Sequence, residues 1–139
     1  MANLYSQYTY DSDLNLRTSA GLTSSADGTI LDLGEGVVDG FIVIDLVSAE
    51  VATGDEIYTI SLEGSTVAAM TSASVCLAKK VFGNLVVPMD GALSAAGRYV
   101  VPFRNEEGGS TFRYVRLSNV VAGTIDTTGI VFGAFIAKR

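Results

Sequence analysis

The last predicted strand, residues 129–137, constrains the fold most, because neither of its faces is polar. Side chains of a β-strand alternate between opposite faces. One face would carry four apolar side chains: Ile130, Phe132, Ala134 and Ile136. The opposite face would carry four more residues, none of them polar: Val131, Gly133, Phe135 and Ala137. Such a strand is buried on both sides, so we expect the domain core on one side and another subunit on the other.

The preceding segment, residues 112–118, alternates like a strand with a single buried face. Val115 and Leu117 share a side with Arg113, and we predict these two apolar residues in the core. The opposite side would carry four residues: Phe112, Tyr114, Arg116 and Ser118. Together with residues 129–137, this segment predicts two strands joined by a turn.

Turn signals recur about every ten residues along the rest of the chain. Between them, further short strands are predicted at residues 29–33, 40–48, 56–63, 74–77, 84–87 and 98–103. Pro102 cannot donate to a ladder, which indicates an edge or a bulge, and residues 64–78 favour an irregular crossing over a helix. About eight strands and no clear helix predict an all-β fold. We expect an antiparallel β-sandwich, most simply with jelly-roll topology.

Residues 40–48 form the clearest strand, rich in Ile and Val, and we predict it in the centre of a sheet. We then expect Asp45 to be buried in apolar surroundings, where a carboxylate needs a partner. Three arginines are candidates: Arg98, Arg113 and Arg116.

Residues 1–28 are polar and show neither a helical nor a two-residue period. They predict an extended N-terminal arm, followed by one sandwich domain over residues 29–139. The arm contains Tyr5, Tyr8 and Tyr10. Either it is a frayed terminus, or the tyrosines anchor it on a neighbouring molecule, since tyrosine is enriched in interfaces.

Composition points towards assembly. Of the 139 residues, 48% are apolar and only 17% are charged, which favours buried interfaces and a homo-oligomer, most simply a homodimer. The net charge of −6 argues against nucleic acid as a partner, because phosphate binding needs clustered Lys and Arg. The candidate interface residues are Tyr5, Tyr8, Tyr10, Val131, Phe135, Phe112 and Tyr114.

The residues that carry most enzyme chemistry are missing. The chain has no histidine, which removes the commonest general base, the Ser-His-Asp and Cys-His arrangements and the usual zinc site. Cys76 is the only cysteine, so neither an intramolecular disulfide nor a multi-thiolate metal site can form. Asp32, Glu35 and Asp39 do not match a calcium loop. We expect no catalytic site, no metal and no cofactor.

No secretory signal or spanning apolar run is visible, so we expect no membrane partner and synthesis in a cytoplasm. Seven short motifs occur in series: Ile30-Leu-Asp-Leu-Gly, the strand 41–47, Thr59-Ile-Ser-Leu-Glu, Gly97-Arg-Tyr-Val-Val-Pro-Phe, Arg113-Tyr-Val-Arg-Leu, Val120-Val-Ala-Gly-Thr and Gly129-Ile-Val-Phe-Gly-Ala-Phe. In this order, over roughly residues 8–137, they resemble the capsid cement proteins of Bordetella-phage-type podoviruses. The resemblance implies a jelly-roll sandwich on the capsid exterior of a virion. There it would bridge subunits of the phage major capsid protein and stabilise the DNA-filled icosahedral head.

A ligand-binding sandwich, for instance a carbohydrate-recognising module, is the alternative. Its specificity would lie in loops such as residues 105–110. The absence of Trp and of a calcium loop disfavours this alternative.

Overall fold

The computed structural model describes residues 10–71, 74–83 and 94–138. Within these ranges the chain is built from strands and one 3-10 turn, Ser12–Leu14, with no α-helix. The strands are β1 (Asn15–Leu22), β2 (Ala26–Asp27), β3 (Leu31–Asp32), β4 (Asp39–Ala49), β5 (Ile57–Ser65), β6 (Val75–Gly83), β7 (Gly97–Arg104), β8 (Glu106–Glu107), β9 (Ser110–Thr111), β10 (Tyr114–Ala122) and β11 (Ile130–Lys138).

Two antiparallel sheets form the body of the protein. Sheet A has the order β1-β11-β4-β7. In sheet B, β2 and β3 both pair with the same side of β10, which is followed by β5 and β6. Side chains from both sheets meet in one apolar core. The predicted all-β antiparallel sandwich is confirmed. Strands β8 and β9 form a separate small hairpin.

The alternation of the central strands decides what enters the core. Val115 and Leu117 of β10 are fully buried there, as predicted. On β11 the predicted core face is buried too: Ile130, Phe132, Ala134 and Ile136. The predicted burial of the second face of β11 also holds for Phe135 and Ala137. These strands occupy inner positions in their sheets, because each has a neighbour on both sides.

Strand β4 lies inside sheet A as predicted, but its carboxylate is not buried. Asp45 lies on the outer face of the sheet and is about half exposed. Its partner is Arg98 on β7, with Nε–Oδ1 and Nη2–Oδ2 distances of 2.7 and 3.0 Å. The expectation of a buried Asp45 was wrong, because the apolar residues beside it face outwards with it rather than into the core.

The structure places much of the predicted N-terminal arm inside the sandwich. Strand β1 pairs with β11, and β2 pairs with β10. Register shifts interrupt β1 on both sides of its pair Arg17–Ala134, and its residues 18–21 are exposed. An edge strand with bulges has no regular alternation, which explains why the sequence pattern missed it. Tyr5, Tyr8 and the predicted strand at residues 84–87 lie outside the described residues.

Elsewhere the predicted elements need small changes. Residues 66–71 are irregular, as the sequence suggested, but the strand predicted at residues 74–77 continues as β6 to Gly83. Strand β7 lies at the edge of sheet A, the position indicated by Pro102.

Replacing Leu117 by Ala should destabilise the protein by about 2–5 kcal/mol, because a fully buried side chain is lost and a cavity remains. The matched control is Val120→Ala, on the outward face of the same strand, with an expected change below about 1 kcal/mol. Urea denaturation of both variants measures the difference. Equal losses would contradict the assignment of the two faces.

Candidate functional site

Polar side chains at one end of the sandwich hold two of its loops. The Glu50 carboxylate accepts hydrogen bonds from four successive backbone N–H groups, at residues 126–129, over 2.8–3.2 Å. The bond from Gly129 contributes most to lowering the pKa of Glu50 below its usual range. A charged Glu50 thus fixes the turn that leads into β11.

Glu56 is fully buried beside this turn. Its carboxylate accepts from the Thr53 hydroxyl (2.7 Å), the Thr53 N–H (2.8 Å) and the N–H groups of Gly54 and Asp55 (3.0 and 3.1 Å). Burial alone would raise the pKa of Glu56, but these hydrogen bonds outweigh it and lower the pKa to about 2. Glu56 is therefore ionised at neutral pH and fully engaged by its own loop.

Tyr58 completes this end. Its hydroxyl donates to the Glu50 carbonyl oxygen at 2.9 Å. Burial, together with the charges of Glu50 and Glu56, raises the pKa of Tyr58 to about 12. At neutral pH the phenol stays protonated and the two carboxylates stay charged. The arrangement thus lacks a group that titrates near pH 7, which general acid–base catalysis needs, and its chemistry is that of a loop anchor.

Asn105 holds backbone segments together at the opposite end of the sandwich. Its side chain is fully buried, and Oδ1 accepts from the Val38 N–H at 2.6 Å. Nδ2 donates to the carbonyl oxygens of Gly36 (3.2 Å) and Phe112 (3.1 Å). One amide therefore joins the loop before β4 to the segment before β10.

Arginines pair with carboxylates across neighbouring strands on the outer surfaces. Arg113 and Asp32 repeat the geometry of the Arg98–Asp45 pair, with distances of 2.7 and 3.0 Å. Arg116 reaches Asp27 and Glu63 at 3.3 Å. Four arginines are thus neutralised locally, Arg104 by Asp39 and Glu106 among them.

Part of the outer face of sheet A is apolar and buried. Val43, Phe135 and Ala137 form a second buried cluster with Val100 packed against it. Tyr10 meets the Phe135 ring edge to face, with 5.4 Å between ring centroids, and remains 55% exposed. The chain itself therefore buries much of the face for which the sequence suggested another subunit.

The structure separates the candidate interface residues. Tyr10, Val131 and Phe135 lie on the outer face of sheet A, but Phe135 is only 5% exposed. Phe112 is 9% exposed, whereas Tyr114 is half-buried on sheet B. Of these five, Tyr10 offers the most open surface.

A groove of about 340 Å³ crosses the outer face of sheet A over Gly133, and we call it the Gly133 groove. Its lining comes from four parts of the chain: Tyr10, Asn15, Arg17, Thr18, Ser19, Asp45, Arg98, Gly133, Ala134 and Phe135. Sequence analysis missed it, because only the register of β1, β11, β4 and β7 brings these residues together.

The outer face of sheet B, here called face B, is open and mostly uncharged in its middle. Seven residues alternate with core residues along β5, β6 and β10 to form it: Ile57, Thr59, Ser61, Val81, Ser118, Val120 and Ala122. Val120 is 49% exposed. The charges of Lys79 and of the Arg116–Glu63 pair lie towards one end of this face. The sequence signal for this face is the alternation of Ile57, Thr59 and Ser61 with the apolar residues Tyr58, Ile60 and Leu62.

No protein-family model and no curated protein sequence matches this chain. Within the described ranges, no group of three or more His, Cys, Asp or Glu residues is placed to hold a metal ion. The same part of the chain has no helix long and apolar enough to cross a membrane.

Glu56→Gln should lower the melting temperature at pH 7, because a neutral amide cannot replace the four hydrogen bonds that the carboxylate accepts. The pKa of Glu56 is depressed from 4.5 to about 2 in the folded protein. Its contribution to stability is therefore complete above pH 4.5 and disappears as the pH falls towards 2. The variant should lose less stability than the wild type over that window.

Thermal melts from pH 7 to pH 2 test this prediction, with the exposed Glu107→Gln as a control that should match the wild type. A Glu56→Gln protein that melts like the wild type at pH 7 would refute the role of the carboxylate.

Proposed function

We propose that this protein is a capsid decoration protein of a phage. In this role it is made in the host cytoplasm, docks on the outer surface of the icosahedral shell, bridges subunits of the major capsid protein and stabilises the DNA-filled head. The observation that carries the proposal is face B, a broad sheet surface with an uncharged middle and charges towards one end. The centres of protein interfaces are likewise depleted of charged residues. The serial order of sequence motifs agrees with it.

The strand order supports a jelly-roll topology. With β2 and β3 taken as one position and the β8–β9 hairpin set aside, the described ranges hold eight strand positions. The first pairs with the eighth, the second with the seventh, the third with the sixth and the fourth with the fifth. Folding such a ladder into two packed sheets produces the jelly roll used by many capsid proteins.

The polar groups support a structural role over a catalytic one. Glu50, Glu56 and Asn105 are each committed to backbone groups of the loops that they hold. Tyr58 stays protonated at neutral pH, since its pKa is about 12. Such anchors make a rigid body, and a rigid surface loses less entropy on docking.

Self-association of the chain, most simply into a dimer, is part of the proposal. The second face of β11 contributes less to it than the apolar pattern of residues 129–137 suggested, because Phe135 and Ala137 are already buried in one chain. Face B is the surface on which two copies would meet when no shell is present.

Decorated shells should melt at a higher temperature, and leak packaged DNA later, than bare shells, because a ligand of the assembled state stabilises that state. Val120→Lys should weaken attachment about tenfold or more, since it places an unpaired charge inside the docked surface. Cosedimentation with purified shells measures the affinity, and calorimetry measures shell melting.

Val47→Lys is the matched control, because Val47 is a 57% exposed valine on the outer face of sheet A. It should bind shells like the wild type. Equal melting and leakage of bare and decorated shells would overturn the proposed function. Equal loss of binding in both variants would overturn the assignment of face B.

A ligand-binding module remains the second candidate, and the Gly133 groove is the observation that favours it. Its volume of about 340 Å³ falls within the range of small-molecule sites.

A further inference from the structure

We propose that the Gly133 groove binds one unit of a neutral saccharide. The sugar ring would stack on Tyr10, and its neighbouring hydroxyls would bond to the Arg98–Asp45 pair. The site is independent of shell docking, because the groove and face B lie on opposite sheets of the sandwich.

Tyr10 supplies the aromatic platform. Its ring is 55% exposed, and the edge-to-face contact with Phe135 sets its orientation. A ring held in place before binding loses little conformational freedom when a ligand arrives. One face of a hexose presents C–H groups, which pack on an aromatic surface, while its hydroxyls project around the rim. A platform bordered by polar groups suits that division.

The Arg98–Asp45 pair supplies a donor and an acceptor side by side. The two bonds between them use Nε and Nη2 of Arg98 and leave its Nη1 to donate. The Asp45 oxygens keep further lone pairs, and both side chains are about half exposed. Two adjacent sugar hydroxyls, each able to donate and accept, match this arrangement of donor and acceptor.

The opposite rim and the floor complete the site. The irregular part of β1 forms the opposite rim, and it contributes Asn15, Thr18 and Ser19 to the lining of the groove. The floor is the backbone at Gly133, where even a Cβ would lie 3.2 Å from the Ser19 nitrogen. A glycine in a strand often marks close approach of a ligand or another backbone. Here the neighbour is the backbone of β1 at Arg17 and Ser19, so Gly133 lets the bulge that forms this rim pack closely against β11.

The charge of the groove favours a neutral ligand. Arg98 and Asp45 neutralise each other. Arg17 lines the groove, but its Nη2 donates to the carbonyl oxygens of Ala20 and Gly21 at 3.1 Å each. Its guanidinium carbon lies 4.8 Å from the ring centroid of Phe132, a core residue. The positive charge of Arg17 is therefore directed to the core side, away from the Arg98–Asp45 pair.

The test uses the isolated full chain labelled with ¹⁵N, titrated with glucose, galactose, mannose and N-acetylglucosamine, after a screen on an array of neutral glycans. At least one neutral sugar should shift the amide signals of Tyr10, Gly133 and Ala134 in a saturable manner. Tyr10→Ala and Asp45→Asn should each weaken that binding about tenfold or more. The first removes the platform, and the second replaces one acceptor oxygen by an amide donor and breaks the paired hydrogen bonds to Arg98.

The chain offers a matched control on the other sheet. Arg113 and Asp32 repeat the ion-pair geometry, and the Arg113 guanidinium lies 5.6 Å from the Tyr114 ring centroid. Tyr114→Ala and Asp32→Asn should leave sugar binding unchanged, and thermal melts check that all four variants fold. Tyr10→Phe should retain binding.

Three results would overturn the inference: no saturable shift at the groove with any neutral sugar, equal loss in the groove variants and in their controls, or binding of glucuronate in place of every neutral sugar. None of these results concerns shell attachment, which is measured on shells with Val120→Lys.

Discussion

The packing of two inner strand pairs against each other is the contact on which the rest of the structure depends. Strands β4 and β11 of sheet A face β5 and β10 of sheet B across one core, and their inward residues are buried almost without exception. Burial of apolar area is the main favourable term in folding. The side chains of the two sheets fill this core, so its packing does not depend on the residues of the two outer faces. These two faces differ in their residues.

Buried hydrogen bonds from Glu56 and Asn105 hold loops at the two ends of the sandwich. Glu56 holds a four-residue loop through its carboxylate, and Asn105 joins two segments that are distant in sequence. A buried polar group that is fully paired costs little and specifies one arrangement of its neighbours. The loops that Glu56 and Asn105 hold are therefore fixed to the strands, which suits a protein whose proposed role is to hold other subunits in place.

The sequence was sufficient to predict the elements that obey a period. Residues of β5, β10 and β11 alternate cleanly, and their core faces follow from the pattern. Strand β1 was not predicted, because its bulges remove the two-residue period. Asp45 was wrongly expected to be buried, because both faces of β4 are apolar. The hydrogen bonds of Glu56 and Asn105 to backbone groups depend on the conformation of the loops, which the sequence pattern does not give. The Gly133 groove joins Tyr10, Arg98 and Gly133, which only strand register brings together, so no local pattern marks it.

In the proposed function the two outer faces have different tasks: face B docks on the shell, and the outer face of sheet A with its groove points to solvent. Electron cryomicroscopy of purified shells incubated with the protein tests this claim most directly. The expected result is density for the sandwich in which β5 and β10 lie against the coat subunits and Tyr10 lies on the side away from the shell. Contact through the Gly133 groove, or shells without added density at saturating protein, would contradict it.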